Sequence, residues 1–144
     1  MFYGCLDMKE ECVFCKIAKK ESGASIVFED EKTMAFMDIR PVSDGHVLVI
    51  PKEHYQDIFD INEDLICQVH KTAKKIAVGV KRAVNSDGIS IVQQNGRAAG
   101  QVIFHLHVHI IPRTEGQGRF HSRDVTNADR KNLDKIASRI KENI

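Results

Sequence analysis

His105-Leu106-His107-Val108-His109-Ile110-Ile111-Pro112 is the stretch on which the reading of the fold turns. Strand side chains alternate faces with period two, so the three imidazoles share one face while Leu106, Val108 and Ile110 enter a core on the other. The bland alternative is a half-exposed strand whose polar positions happen to be histidine. Histidine has no strand propensity that would select it three times in five residues, and the chain holds only seven histidines in 144 residues. A strand is therefore predicted over 102–111. The glycine-bearing segment from Asn95 to Gly100 separates it from another strand over 89–94.

Working outward, Cys12 to Lys20 is short and helix-compatible before the Gly23 break. Strands are predicted over 25–29 and 33–38 around the acidic turn at Asp30-Glu31-Lys32. His46-Val47-Leu48-Val49-Ile50 is a short apolar strand stopped by Pro51, and its continuous hydrophobicity predicts a central, two-sided position. The strongest helix runs over 62–84, with Leu65, Ile66, Val69, Ala73, Ile76, Val80 and Val84 at helical spacing. Asp60 or Asn62 can cap it, and the stop lies in Asn85-Ser86-Asp87-Gly88. A last helix carrying Leu133, Ile136, Ile140 and Ile144 starts at a capping-box-like Thr126-Asn127-Ala128-Asp129. Strands around two main helices without regular βαβ alternation predict an α+β fold with an antiparallel sheet.

Composition narrows the class. At 144 residues and 42% hydrophobic content the chain is expected to form one domain over 1–144. Residues 1–10 read as a flexible extension, and 113–144 as a C-terminal segment ending in the last helix. Twenty-one basic against twenty acidic residues give a formal charge of +1. No global field draws the protein to nucleic acid or an anionic membrane. The lysines of the long helix read as its solvated face. No apolar run is long enough to span a bilayer, and Met1 to Asp7 lacks a basic n-region, so a cytoplasmic location is expected. In that compartment Cys5, Cys12, Cys15 and Cys67 are expected to stay reduced.

Two chemistries suit the histidine strand. One is a metal site, since His-x-His can place two nitrogens on one ion. The other is phosphoryl chemistry, in which a neutral imidazole attacks phosphorus while its neighbours orient it. The small, permissive Gly96-Arg97-Ala98-Ala99-Gly100-Gln101 favours phosphate, because backbone N–H groups can approach an anionic oxygen there. Cys12-Val13-Phe14-Cys15 is half a zinc site by spacing, and at the start of a short helix it also suits a redox pair.

The run Gly100 to Ile111 resembles the H-φ-H-φ-H-φ-φ signature of the histidine triad (HIT) superfamily, in particular its small bacterial and archaeal nucleotide-binding hydrolases. Phe14-Cys15-Lys16-Ile17, the stretches from Phe28 to Asp30 and from Phe36 to Ile39, the run Gly45 to Lys52, and Gln94-Asn95-Gly96 follow the family's order and spacing. The resemblance implies a five-stranded antiparallel sheet with two main helices, and a homodimer whose sheets join. It implies a nucleotidyl hydrolase or transferase acting on adenylated or dinucleoside polyphosphate-type substrates and releasing a nucleoside monophosphate such as AMP. By position, His107 would be the nucleophile and His109 would bond a phosphate oxygen and assist the leaving group. His105 and His46 would support them, the His105 carbonyl holding the His107 tautomer.

The same resemblance has Asp38 bind the ribose and Val13, Phe14, Ile17, Phe36 and Ile39 wall a purine, usually adenine. Gln94, Gly100 and Gln101 would contact ribose and phosphates. It also implies a structural zinc on Cys12, Cys15, His54 and His105. Val102 departs from the pattern: many relatives carry Ser or Thr there, whose hydroxyl helps the leaving group in phosphoramidate cleavage. Two other functions remain open, a nucleotide-binding module with little catalysis and a zinc-dependent hydrolase using the triad as ligands. Cys67, His70 and His121 receive no role.

Overall fold

The computed structural model describes residues 11–116 and 127–144. Helix α1 is Val13–Ala18, followed by β1 (Ile26–Glu29), β2 (Thr33–Met37), β3 (Val47–Pro51), α2 (Glu63–Val84), β4 (Gly88–Gln93), a 3₁₀ turn at Arg97–Ala99, β5 (Val108–Arg113) and α3 (Arg130–Lys141). The strands form one sheet in the order β1-β2-β3-β5-β4, with every neighbouring pair antiparallel. This is the α+β architecture the patterning predicts. Cys5, His121, Thr126 and the proposed 1–10 extension lie outside the described residues.

Alternation divides the sheet into two apolar faces. Ala35, Met37, Val47, Val49, Leu106, Val108 and Ile110 pack with Leu65, Val69, Ala73, Ile76 and Val80 of α2 and with Leu133, Ile136 and Ile140 of α3. On the other face Met34, Phe36, Leu48 and Ile50 pack against Cys12, Phe14, Cys15 and Ile17 of α1 and its N-cap. Every residue of β2 and β3 is consequently buried, and β3 occupies the middle of the sheet. The short α1 covers only part of its face, leaving a trough open beside it. No helix of the described residues is long and apolar enough to cross a membrane.

Several boundaries differ from the sequence reading. Strand β5 starts at Val108, six residues later than expected. Upstream, the Leu106 N–H leaves the ladder to bond the Tyr55 carbonyl at 2.7 Å, although the in-out alternation continues. Pro112 still belongs to β5: its carbonyl accepts from Ser43 Oγ at 2.8 Å, so its nitrogen faces the side where pairing to β3 has ended at Ile110. Pro51 is likewise the last residue of β3 rather than a stop before it. Asn62 caps α2 through the Leu65 N–H, and Asn85 ends it in the left-handed region. Asp60 instead accepts from the Gln56 N–H. Asp129 itself is the N-cap of α3, which therefore starts at Arg130, and Ile144 lies beyond the helix.

Candidate active site

The trough is a cavity of about 680 Å³. Its apolar wall includes Val13, Phe14 and Ile17 of α1 with Phe36 and Leu48 of the sheet, and His107 and His109 stand at one end. Asp38, Ile39, Gln94 and Gly100 also line it. The ring of Phe14 meets Phe36 and His107 edge-on, with centroids 5.3 and 5.2 Å apart. Gly100 adopts φ +95°, and a Cβ there would come within 2.6 Å of Gln94 Nε2, so glycine admits both the turn and the close approach of Gln94. Val102 is 83% exposed at the mouth and brings no hydrogen-bond donor on its side chain.

Gln101 stands elsewhere. It is buried, with its Oε1 accepting from the Gly96 N–H and its Nε2 donating to the carbonyls of Gln56 and Ile103. It does not line the cavity. The amide expected to meet a phosphate instead braces the loop that carries Gly100, and the carbonyls of Gln56 and Ile103 take both of its N–H donors.

Backbone groups set the tautomers of the imidazoles. Val42 N–H donates to His46 Nδ1 at 3.0 Å, which leaves the proton of neutral His46 on Nε2. That N–H donates to His109 Nδ1 at 2.9 Å, so His109 carries its own proton on Nε2. His107 Nδ1–H donates to the His105 carbonyl at 2.7 Å, and the lone pair of His107 therefore lies on Nε2. The site thus holds a bare imidazole nitrogen and, on the adjacent ring with centroids 5.0 Å apart, an N–H donor.

Burial keeps these rings neutral. It depresses His46 to about 3, helped by the nearby His109, and His109 to about 4, helped by His107. His107 is also lowered by burial, against the opposing bond to the His105 carbonyl. Asp38 lies 3.4 Å from His46 Nε2. With His46 neutral this contact is polar rather than an ion pair, and burial raises the Asp38 carboxyl against the bond it accepts from the Arg40 N–H.

These shifts give a stability prediction. Unfolded histidine protonates near 6.5, whereas His46 and His109 in the fold stay neutral well below it, so acidification favours the unfolded chain. Their contribution is complete above pH 6.5 and is lost as pH falls toward 4 and then 3. At pH 5 the loss is of order 2 kcal/mol for each group. Denaturant melts at pH 7.5, 6 and 5 are expected to show that decline, and His46→Gln, which does not titrate, is expected to flatten it. An equal slope in the variant would refute the assignment.

A second cluster lies behind His107. Cys12 Sγ and Cys15 Sγ are 3.4 and 3.5 Å from His105 Nδ1, and Cys15 Sγ is 3.2 Å from His54 Nδ1. All four donor atoms lie within 4.8 Å of one another. Tetrahedral zinc with bonds of about 2.3 Å to sulfur and 2.0–2.1 Å to nitrogen separates adjacent donors by roughly 3.5 Å, so the set fits. His105 Nε2 donates to the Pro51 carbonyl at 2.8 Å, turning Nδ1 toward the thiols. The three triad imidazoles do not converge on one point: His105 groups with the cysteines and His54, His109 groups with Asp38 and His46, and His107 lines the trough. Cys67 is exposed, and His70 sits at the surface 3.2 Å from Gln93 Oε1.

Met37, Arg40, Leu48, Ile103, Arg130 and the Ser22-Gly23-Ala24 segment also line the cavity, beyond the residues expected from sequence. Strand register would have found Leu48, which pairs with His109 and so shares its face. The Val42 N–H and the Pro51 carbonyl act through backbone and leave no side-chain signal.

A family model described as the HIT domain matches residues 19–116. An uncharacterized HIT-like protein of Methanocaldococcus jannaschii is 44% identical over 131 residues, covering 90% of this chain and 98% of its own. The adenylylsulfatase of Arabidopsis thaliana is 37% identical over 92% of this chain and 67% of its own. The adenosine 5′-monophosphoramidase of Candida albicans is 34% identical over 92% and 91%. A Zn-bound histidine triad family protein of Mycobacterium smegmatis superposes with a TM-score of 0.82 at 31% identity, covering 93% of each chain.

Proposed function

The chain belongs to the HIT domain family, and on that premise we propose that it cleaves a nucleoside 5′-phosphoryl bond through a covalent intermediate on His107. The observation that carries this reading is the bond from His107 Nδ1–H to the His105 carbonyl, which leaves a neutral, buried Nε2 lone pair facing the cavity. The nucleoside would lie along the apolar trough, with its ribose beside Asp38 and its base among Val13, Phe14, Ile17, Phe36 and Ile39.

In the first step His107 Nε2 forms a bond to the α-phosphorus, and the bond to the leaving group breaks with its electron pair. The charge developing on the His107 ring is met by the His105 carbonyl at Nδ1, and His109 Nε2–H stabilises a phosphoryl or departing oxygen. Water then attacks phosphorus, the P–N bond returns its pair to Nε2, and the water proton passes to solvent. The products are a nucleoside monophosphate and the leaving group. Val102 supplies no proton at the mouth, which favours leaving groups stable as anions, such as sulfate, phosphate or carboxylate. The near-zero net charge is compatible with this chemistry, since local N–H donors can recognise the phosphate.

Cys12, Cys15, His54 and His105 are the residues we assign to a structural zinc, which when bound would crosslink α1 to the triad strand. We further infer a homodimer, supported by β4 standing at the sheet edge with Ile91 51% exposed. Mass spectrometry of enzyme quenched during turnover of an adenylated or dinucleoside substrate tests the mechanism. A nucleotidyl adduct on the His107 peptide is expected. Rapid turnover without any adduct on that peptide would sink the covalent route, and tight AMP binding with no turnover of any such substrate would favour a binding module.

A further inference from the structure

The trough has a direction. Ile26 pairs with Phe36, Phe36 with Leu48 and Leu48 with His109, and directly paired residues share a face. With strands about 4.8 Å apart, this row runs roughly 14 Å across the sheet, from β5 to β1. A nucleoside monophosphate with its phosphorus at His107 and its ribose beside Asp38 extends along that row. The far edge of its base then points toward the β1 end, where Ser22, Gly23, Ala24 and Arg130 line the same cavity.

Arg130 is held there by its surroundings. Its Nη1 donates to Ser25 Oγ at 3.1 Å, and that buried hydroxyl donates to Asp134 Oδ1 at 2.6 Å, one turn along α3. The Ala128 N–H bonds the Ile39 carbonyl at 2.8 Å and ties the start of the helical segment to the cavity rim. Arg130 also lies beyond residues 19–116, outside the part of the chain that the family model matches.

We propose that Arg130 is a specificity-determining residue that reads the base edge and selects a purine presenting two acceptors, guanine or hypoxanthine, over adenine. This rests on the nucleotide reading of the same cavity. A guanidinium has only donors, and it matches O6 and N7 of guanine as a planar fork. Adenine offers N7 beside an amino group, so one of the two contacts becomes donor against donor.

Calorimetric titration of the metal-loaded full chain with AMP, GMP and IMP tests the assignment. The wild-type protein is expected to bind GMP and IMP about fivefold or more tightly than AMP, the discrimination of one good bidentate pair. Arg130→Ala is expected to bring the three within twofold. Arg130→Gln, whose amide both donates and accepts, is expected to turn the preference toward AMP. Arg130→Lys keeps the charge without the fork and is expected to lose the discrimination while retaining affinity. Equal or tighter AMP binding by the wild type overturns the proposal, as does a ratio unchanged in Arg130→Ala, and either result leaves the nucleotide reading standing. Failure of all three nucleotides to bind removes both.

Discussion

His107→Ala is expected to lower turnover of a nucleoside 5′-phosphoryl substrate by at least about 10⁴-fold, with product binding within a few-fold of wild type. The asymmetry follows from the geometry. The proposed base and ribose subsites are walled by residues of α1, β2 and the segment after it, to which the His107 ring contributes an edge contact with Phe14. The ring's hydrogen bond goes to the carbonyl two residues before it, so its removal leaves the sheet pairing intact. The proposed nucleophile has no substitute among its neighbours: His109 Nδ1 accepts from His46, its Nε2 carries the proton, and His105 faces the cysteines. Steady-state kinetics, calorimetry with the product nucleotide and a thermal melt together check the prediction. Turnover within tenfold of wild type in a folded variant would remove His107 from the chemistry and with it the covalent mechanism.

Removing the metal, or replacing Cys15 by alanine, is expected to lower the melting temperature by 10 °C or more and to reduce turnover with it. The four donors come from the start of α1, the loop after β3 and the triad strand, segments 39 and 90 residues apart along the chain. A centre joining them would tie α1 to the loop after β3 and the triad strand, which already hold each other through the Leu106 N–H to Tyr55 and His105 to Pro51 bonds. Structural zinc in small peptides contributes about 10–16 kcal/mol at neutral pH, and a part of that suffices, since each kcal/mol moves the melting temperature of a domain this size by about 2–4 °C. Activity is coupled because Phe14, next to Cys15, packs edge-on against His107, and the His105 carbonyl sets the His107 tautomer. Elemental analysis of the purified chain is expected to find one zinc per chain, lost in Cys15→Ala. A metal-free protein with an unchanged melt would show that the cluster works as plain thiols and imidazoles.

Much of the architecture was readable from periodicity. Apolar spacing located α2 to within a residue, and the unbroken hydrophobicity of Val47 to Ile50 located the central strand, because burial on both faces admits no polar position. Strand β5 starts later than its pattern predicts because alternation persists through Leu106 even where its N–H turns away to Tyr55, and pattern alone does not report where a backbone bond goes. The same holds for Gln101. An amide beside a glycine turn suits a phosphate as well as it suits its own loop, and only the positions of Gly96, Gln56 and Ile103 separate the two.

The sheet's alternation, the common face of the three imidazoles and the family resemblance are legible in the residues alone, since these depend on neighbours close along the chain. Tertiary structure decided which nitrogen of each imidazole carries the proton, through the Val42 N–H and the carbonyls of Pro51 and His105. It also set the geometry of the Cys12, Cys15, His54 and His105 cluster and brought Arg130 from the last helix to the far end of the trough. The physical reason is that hydrogen-bond direction and donor convergence depend on distances across the fold, and backbone partners leave no mark on residue type.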